Sequence, residues 1–101
     1  MKAQFIYNGA TDSLAVFTGK RTLASVELGR EMIVDLDCKN NVTGVEFLNP
    51  DKLFRIPKRK LMGITRASLT SVARGGLLWA YVNLEMAGIE KEIPIPLVAP
   101  A

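Results

Sequence analysis

The amino-acid sequence predicts a mainly β domain of the α+β class, with an antiparallel sheet of about eight strands. Apolar and polar residues alternate with a period of two along residues 32–48 and again along residues 77–97. Between these stretches, a central connector at residues 50–66 contains two prolines and suits only one or two short helical turns. A length of 101 residues fits a single domain, 1–101, with a β meander at 1–49, the basic connector at 50–66 and β hairpins at 67–101.

Turn signals separate the first strands. Residues 4–7 and 13–18 have strand character, and Asn8-Gly9 between them is a strong turn dipeptide because both residues tolerate positive φ. A second turn at 19–21 leads into residues 22–28, whose inward and outward faces the pattern leaves open. These segments predict the first three strands of a meander.

The clearest hairpin spans residues 32–48, where apolar residues alternate with acidic ones on both sides of a polar turn. Because successive side chains of a strand point to opposite faces, the apolar set points to the core and the acidic set to solvent. The predicted pairs across the turn are Val34 with Val45 and Leu36 with Thr43. The acidic set comprises Asp35, Asp37 and Glu46.

The acidic set suggests a divalent-cation site or an acid–base pair, but carboxylates on a strand face are far more often simply solvated. The chain has no histidine and a single cysteine, Cys38. This composition excludes Ser-His-Asp and Cys-His catalysis, histidine-containing zinc sites and four-cysteine metal sites within one chain. We therefore expect no enzymatic activity, no cofactor and no metal ion.

Four segments of the first half resemble the motifs of a known family. They are Tyr7-Asn8, Thr11-Asp12-Ser13-Leu14, Val34-Asp35-Leu36-Asp37 and Gly44-Val45-Glu46-Phe47-Leu48. Together they look like the YuzE-like family of small domains, whose members carry an acidic D-x-x-x-D turn and a V-x-D-x-D…G-I-E-I-L hairpin. Asn8 stands where the family usually has an acidic residue, and Asn41 stands where its hairpin turn usually has glycine. The family has no established biochemical activity, so the resemblance implies a fold class and no site residues.

The connector begins with helix-start signals. Asn49 suits the N-cap, Pro50 fits the first helical position and Asp51 suits the positive end of the helix dipole. Pro57 ends this turn and opens a second one, which Gly63 stops. We expect the apolar residues of the segment to anchor it to the sheet while its basic groups stay in water.

Six basic residues in the connector accompany a single acidic residue, Asp51, although the whole chain has a net charge of only +3. Basic clustering is the electrostatic footprint of nucleic-acid binding. The segment has only Phe54 as an aromatic residue for stacking on bases, and we favour a solvated connector over a binding surface. The candidate phosphate contacts are Lys52, Arg55, Lys58, Arg59, Lys60 and Arg66.

Residues 77–86 form the most strand-like segment of the chain, whereas residues 67–74 fit either a strand or one face of a helix. Gly75-Gly76 between them predicts a reversal. Pro94 and Pro96 lie two residues apart in the last strand, so both can face its free side without losing a hydrogen bond to the neighbouring strand. We expect this strand to be an edge that is blocked against further pairing.

A turn at 87–90 predicts that Leu84 pairs with Ile93 and Val82 with Ile95. With those four side chains pointing inward, Trp79, Tyr81, Asn83 and Glu85 lie on the outward side of the hairpin. The predicted core comprises Val34, Leu36, Val45, Phe47, Val82, Leu84, Ile93 and Ile95, and the predicted non-core residues are Asp35, Asp37, Asn83 and Glu92.

These observations predict a non-catalytic module for protein–protein interaction or self-association. Trp79 and Tyr81 either form an interface, since aromatic side chains are enriched at interface cores, or lie under the connector. They are the candidate interface residues, and a two-fold homodimer is the expected assembly. The alternative is a nucleic-acid-binding protein that uses the basic connector. The sequence has no apolar run long enough to cross a bilayer and no signal peptide, and we expect a cytoplasmic protein that does not enter a membrane.

Overall fold

The computed structural model describes residues 2–98, which form a mainly β structure with two short helices. The first half contains five strands: β1 (Lys2–Asn8), β2 (Ser13–Phe17), β3 (Ala24–Leu28), β4 (Met32–Leu36) and β5 (Val42–Leu48). The second half contains two helices and three strands: α1 (Pro50–Phe54), α2 (Lys58–Leu61), β6 (Ile64–Arg74), β7 (Leu77–Met86) and β8 (Ile89–Val98). The predicted fold class is confirmed, and the ambiguous stretch at 67–74 is a strand.

The strands form one eight-stranded antiparallel sheet in the order β3-β4-β5-β2-β1-β6-β7-β8. The order differs from a simple meander because β5 pairs with β2, so that β2 lies between β1 and β5. A short pairing of β1 with β6, at Lys2–Ser68 and Ala3–Ala67, joins the two halves. The sheet curls towards itself, and the Val42 N–H of β5 donates to the Ser71 Oγ of β6 at 3.3 Å.

The inward face of the curled sheet forms a single hydrophobic core. All eight predicted core residues are buried, and Phe47, Val34, Val82 and Leu84 have no measurable exposure. Asp35, Asp37 and Asn83 are half-buried and Glu92 is exposed, in agreement with their predicted outward facing. The period-two pattern therefore identified the correct face of each strand.

The register of the β4–β5 hairpin is partly as predicted. Val34 pairs with Val45, but Leu36 pairs with Val42 instead of Thr43, so that prediction is wrong. An irregularity between Asp35 and Leu36 accounts for the shift, because a bulge places an extra residue in one strand and alters the pairing beyond it. As a result, the adjacent residues Val42 and Thr43 are both buried, at 5% and 3% exposure.

The predicted register of the β7–β8 hairpin is wrong by two residues. Val82 pairs with Ile93 and Leu84 with Lys91, because the turn contains only Ala87 and Gly88 instead of four residues. Both turn residues have positive φ, 36° and 81°, as a type I′ turn requires. A shift of two residues preserves the facing of every side chain, so the core prediction survives the error.

The connector contains two helical turns, as expected, but it is shorter than predicted. Pro50 occupies the first turn of α1, and Asn49 occupies the N-cap position in a left-handed conformation without a side-chain capping bond. Strand β6 begins at Ile64, so the connector ends at Gly63 and Arg66 belongs to the sheet. Neither α1 nor α2, nor any other helix within residues 2–98, is long and apolar enough to cross a membrane.

Candidate functional site

The outer face of β6, β7 and β8 presents aromatic and proline side chains in adjacent rows. In β7, Trp79 lies opposite Pro96 of β8 and Val72 of β6. Tyr81, two residues further along β7, lies opposite Pro94. We call this set of five residues, Val72, Trp79, Tyr81, Pro94 and Pro96, the aromatic face.

The two aromatic rings of this face form a stacked pair. The ring centroids of Trp79 and Tyr81 are 6.2 Å apart and their planes differ by 14°. Both side chains are half-buried, whereas Pro94 and Pro96 are exposed. The connector packs Phe54 and Leu61 into the core on the other side of the sheet, so it does not lie over the rings. The interface residues expected from the sequence therefore lie together on an uncovered surface.

An acidic region adjoins the aromatic face at the Met86 end of β7. Glu85 pairs with Arg66, whose Nε lies 3.4 Å from Glu85 Oε2. Glu90 accepts a hydrogen bond of 2.7 Å from the side-chain amide of Asn83, and Glu92 opposite Asn83 is exposed. Three carboxylates therefore lie at this end of the aromatic face with Arg66 and with Lys2, which pairs with Ser68 beside Asn83, so the region has a net charge of −1, while Arg74 lies at the opposite end, across from Leu77.

One polar atom in this region has no partner. Asn83 Oδ1 is buried and makes no hydrogen bond within residues 2–98, although Asn83 Nδ2 donates to Glu90. A buried acceptor without a donor costs about 1–3 kcal/mol.

The basic residues of the connector do not form one uniformly positive surface. Lys58 and Lys52 lie close enough to Asp51 to lower the pKa of its carboxyl, and Arg66 pairs with Glu85. The remaining three candidate contacts, Arg55, Arg59 and Lys60, form no ion pair within the described residues. Phe54, the single aromatic residue of the segment, is buried against Phe47 and offers no surface for base stacking.

A buried carboxylate links the first hairpin to α1, and sequence reasoning did not single it out. Asp12 has a φ of 50° and is only 8% exposed. Its Oδ1 accepts a hydrogen bond of 3.0 Å from the Tyr7 hydroxyl, and its carbonyl accepts one of 2.8 Å from the Asn49 N–H. The sequence shows Asp12 as the acidic residue of the β1–β2 turn, but no local pattern indicates that it is buried.

The environment of Asp12 changes the pKa values of three groups. Burial, together with a hydrogen bond to the neighbouring Asp51 carboxyl, raises the pKa of Asp12. The same hydrogen bond lowers the pKa of Asp51. Burial and the hydrogen bond to Asp12 raise the pKa of Tyr7. The arrangement holds the start of α1 against the β1–β2 turn, which is a structural role.

The acidic hairpin residues also have local structural roles. Asp37 Oδ1 accepts hydrogen bonds from the N–H groups of Lys39 and Asn41 and so holds the β4–β5 turn. Asp35 Oδ1 accepts a 2.6 Å hydrogen bond from Ser25 Oγ of β3, and Glu46 is exposed. Within residues 2–98, no three acidic, cysteine or histidine side chains form a group that could hold a metal ion.

Comparison of the chain with protein-family models, with curated proteins and with solved structures finds no match.

Proposed function

We propose that the protein is a non-catalytic interaction module that binds a polypeptide through the aromatic face. The observation that carries the proposal is the Trp79–Tyr81 stack, which lies on the outer face of the sheet beside Pro94 and Pro96. Tryptophan and tyrosine contribute large contact areas at a small cost in side-chain entropy and are enriched among the residues that dominate binding energy.

The carboxylates at the Met86 end of the aromatic face favour a polypeptide with a basic residue at that end as the partner. Glu90 and Glu92 are exposed and would attract lysine or arginine. The same carboxylates would repel a phosphate backbone, and for this reason we favour a polypeptide over nucleic acid as the ligand.

The carboxylates with shifted pKa values make structural contacts, which supports a non-catalytic role. The carboxyl groups whose pKa values depart from ordinary, Asp12, Asp37 and Asp51, hold a turn or a helix start. The chain has no histidine to act as a base near neutral pH. The free, exposed thiol of Cys38 suits a reducing compartment, and we place the protein in the cytoplasm on that basis.

A selection from a phage-displayed library of random peptides tests the proposed function. Peptides retained by the unmodified protein should combine apolar side chains with lysine or arginine. The Trp79→Ala, Tyr81→Ala double variant should retain none of them. Ile6→Ala is the matched control, because Ile6 is 60% exposed on β1, away from the aromatic face, and should retain all of them. Equal retention by the double variant, or no enrichment on the unmodified protein, would overturn the proposal.

A further inference from the structure

The curled sheet is open between β5 and β6. Strand β6 pairs with β1 at Ala67 and Ser68, and within residues 2–98 no strand pairs with β6 beyond Ser68 on that side. The rest of this edge faces the start of β5, where Ser71 Oγ accepts a hydrogen bond of 3.3 Å from the Val42 N–H. Because a side chain joins the two strands there, and not a ladder of backbone hydrogen bonds, a gap remains between them.

A groove of about 310 Å³ occupies this gap. The turn after β2, the β4–β5 turn and the middle of β6 line it. Ligand pockets range from about 300 to about 1,000 Å³ and often lie at the mouths of curled sheets and barrels, so this groove suits a small ligand. We call it the β5–β6 groove. Its polar lining includes Thr18, Lys20, Asp37, Asn41, Thr43 and Ser71.

Hydroxyl groups form part of the groove wall. Thr18 Oγ1 donates to the Thr43 carbonyl at 3.2 Å and accepts a hydrogen bond of 3.3 Å from the Lys20 N–H. This contact fixes the backbone of Lys20 at the groove. Ser71 Oγ accepts from Val42, but its hydroxyl hydrogen has no acceptor among the side chains and backbone of residues 2–98. Ser71 can therefore donate one hydrogen bond to a ligand.

Lys20 supplies the positive charge of the groove. Its ammonium group forms no ion pair within the described part of the chain. Hydrogen bonds from the Asn41 and Lys39 N–H groups are the main cause of the low pKa of Asp37, and the charge of nearby Lys20 lowers this pKa further. Both oxygens of Asp37 already accept hydrogen bonds within the β4–β5 turn. The carboxylate therefore holds its turn, whereas the ammonium group is available to a ligand.

A second groove meets the first at Lys20 and Asp37, which line both. It has a volume of about 470 Å³ and is also lined by Arg21 and Leu23. Lys20 and Arg21 against Asp37 give the two connected grooves a net charge of +1. Leu23 is 72% exposed, so the second groove offers an apolar contact beside the positive charges.

We propose that the β5–β6 groove binds the oxyanion group of a small metabolite, a phosphate ester or a carboxylate, through Lys20 and the Ser71 hydroxyl. Lysine binds such groups as a point charge, and hydrogen bonds to a charged acceptor are stronger than those to a neutral one. The body of the metabolite lies in the second groove beside Leu23. This site goes beyond the proposed function, because none of the five residues of the aromatic face lines either groove.

Backbone amide NMR spectra recorded during titrations test the site. The probes are phenyl phosphate and phenylacetate, which combine an oxyanion with a small apolar body, and benzyl alcohol is the neutral control. At constant ionic strength, the amide signals of Lys20, Val42 and Ser71 should move and saturate with at least one of the two anions. Saturation with phenyl phosphate alone identifies a phosphate ester as the ligand class, and saturation with phenylacetate alone identifies a carboxylate. No saturable change with either anion, or an equal change with benzyl alcohol, would overturn the proposal.

Charge variants test the contact with Lys20. Lys20→Gln should weaken binding of the anion by about tenfold or more, because it removes a charged hydrogen bond. Lys91→Gln is the matched control, since it removes the same charge from an exposed lysine of β8 and should bind like the unmodified protein. Ser71→Ala should weaken binding by about two- to tenfold through the loss of one hydroxyl donor. Equal losses in Lys20→Gln and Lys91→Gln would show a non-specific charge effect and would contradict the site.

Peptide binding separates this inference from the proposed function. Lys20→Gln should retain the peptides selected on the aromatic face, and the Trp79→Ala, Tyr81→Ala double variant should bind the anion like the unmodified protein. If the double variant no longer binds the anion, the anion binds at the aromatic face and its assignment to the β5–β6 groove is wrong.

Discussion

Phe47 of β5 and Phe54 of α1 meet edge to face, with ring centroids 4.8 Å apart and planes at 75°. Phe47 has no measurable exposure, and Phe54, the last residue of α1, is 9% exposed. Aromatic pairs in this arrangement contribute about 0.5–1.5 kcal/mol beyond the burial of their area. The contact therefore fixes the connector to the sheet.

Phe47→Ala should lower the free energy of unfolding by about 3–5 kcal/mol, because it removes a fully buried ring and leaves a cavity beside Phe54. Urea denaturation followed by circular dichroism measures the change. Ile6→Ala removes an apolar side chain that is 60% exposed and should cost far less. A loss of stability near zero for Phe47→Ala would show that the core is packed differently.

Ala87→Asn should stabilise the β7–β8 hairpin by about 1 kcal/mol. Ala87 has a φ of 36° in the two-residue turn, and asparagine tolerates the left-handed region better than alanine does. Gly88→Ala, at a φ of 81°, should act in the opposite direction because it puts a Cβ on the other left-handed residue. Urea midpoints that move in the same direction for both variants would contradict the turn geometry.

Asp37→Asn should make the stability of the protein less sensitive to acid. The N–H groups of Asn41 and Lys39 donate to the carboxylate and lower its pKa in the folded state. The carboxylate therefore stabilises the fold fully above the unfolded pKa of about 4, and this contribution is lost as the pH falls through the lower folded value.

Asparagine keeps an oxygen for the same N–H donors but does not titrate, so the variant should lose less stability between about pH 5 and about pH 2. Urea midpoints across this range give the comparison. An equally steep loss in the variant would mean that Asp37 does not contribute to the acid response.

Replacing Lys58, Arg59 and Lys60 with glutamine should leave the fold and peptide binding intact and lower the urea midpoint only slightly, because Lys58 lies near the Asp12 and Asp51 carboxyls. Lys58 and Arg59 are exposed and Lys60 is half-buried, and none of the three belongs to the aromatic face. Fluorescence anisotropy with labelled single-stranded DNA and RNA at low salt should show no binding to the unmodified protein. Binding that falls steeply with salt and is lost in the triple variant would instead support the nucleic-acid alternative.

The sequence predicts which side chains of each strand point into the core, but it does not predict which residues pair between neighbouring strands. Val82 and Ile93 were assigned correctly to the core because a period of two survives any shift by an even number of residues. Their pairing depends on the length of the turn, which the sequence Ala87-Gly88 did not specify clearly. The shift at Leu36 depends on a bulge, for which the local pattern carries no signal.

The remaining features depend on tertiary packing. Val26 is exposed because the curl of the sheet leaves β3 beyond the covered core, and no local pattern reports that curl. Asp12 is buried because α1 docks against the β1–β2 turn, a contact between residues far apart in sequence. Trp79 and Tyr81 could be placed on the outer face by alternation, but only the structure shows their stacking and the rows of proline beside them.

Calorimetric titration of a selected peptide into the Trp79→Ala variant tests the binding role of the aromatic face most directly. Loss of a central aromatic residue should weaken binding by about 2 kcal/mol or more, which is about 30-fold, while Ile6→Ala should bind like the unmodified protein. Glu90→Gln should weaken the binding of a peptide with lysine or arginine by a smaller factor. If Trp79→Ala binds the peptide as tightly as the unmodified protein does, the aromatic face is not the binding surface.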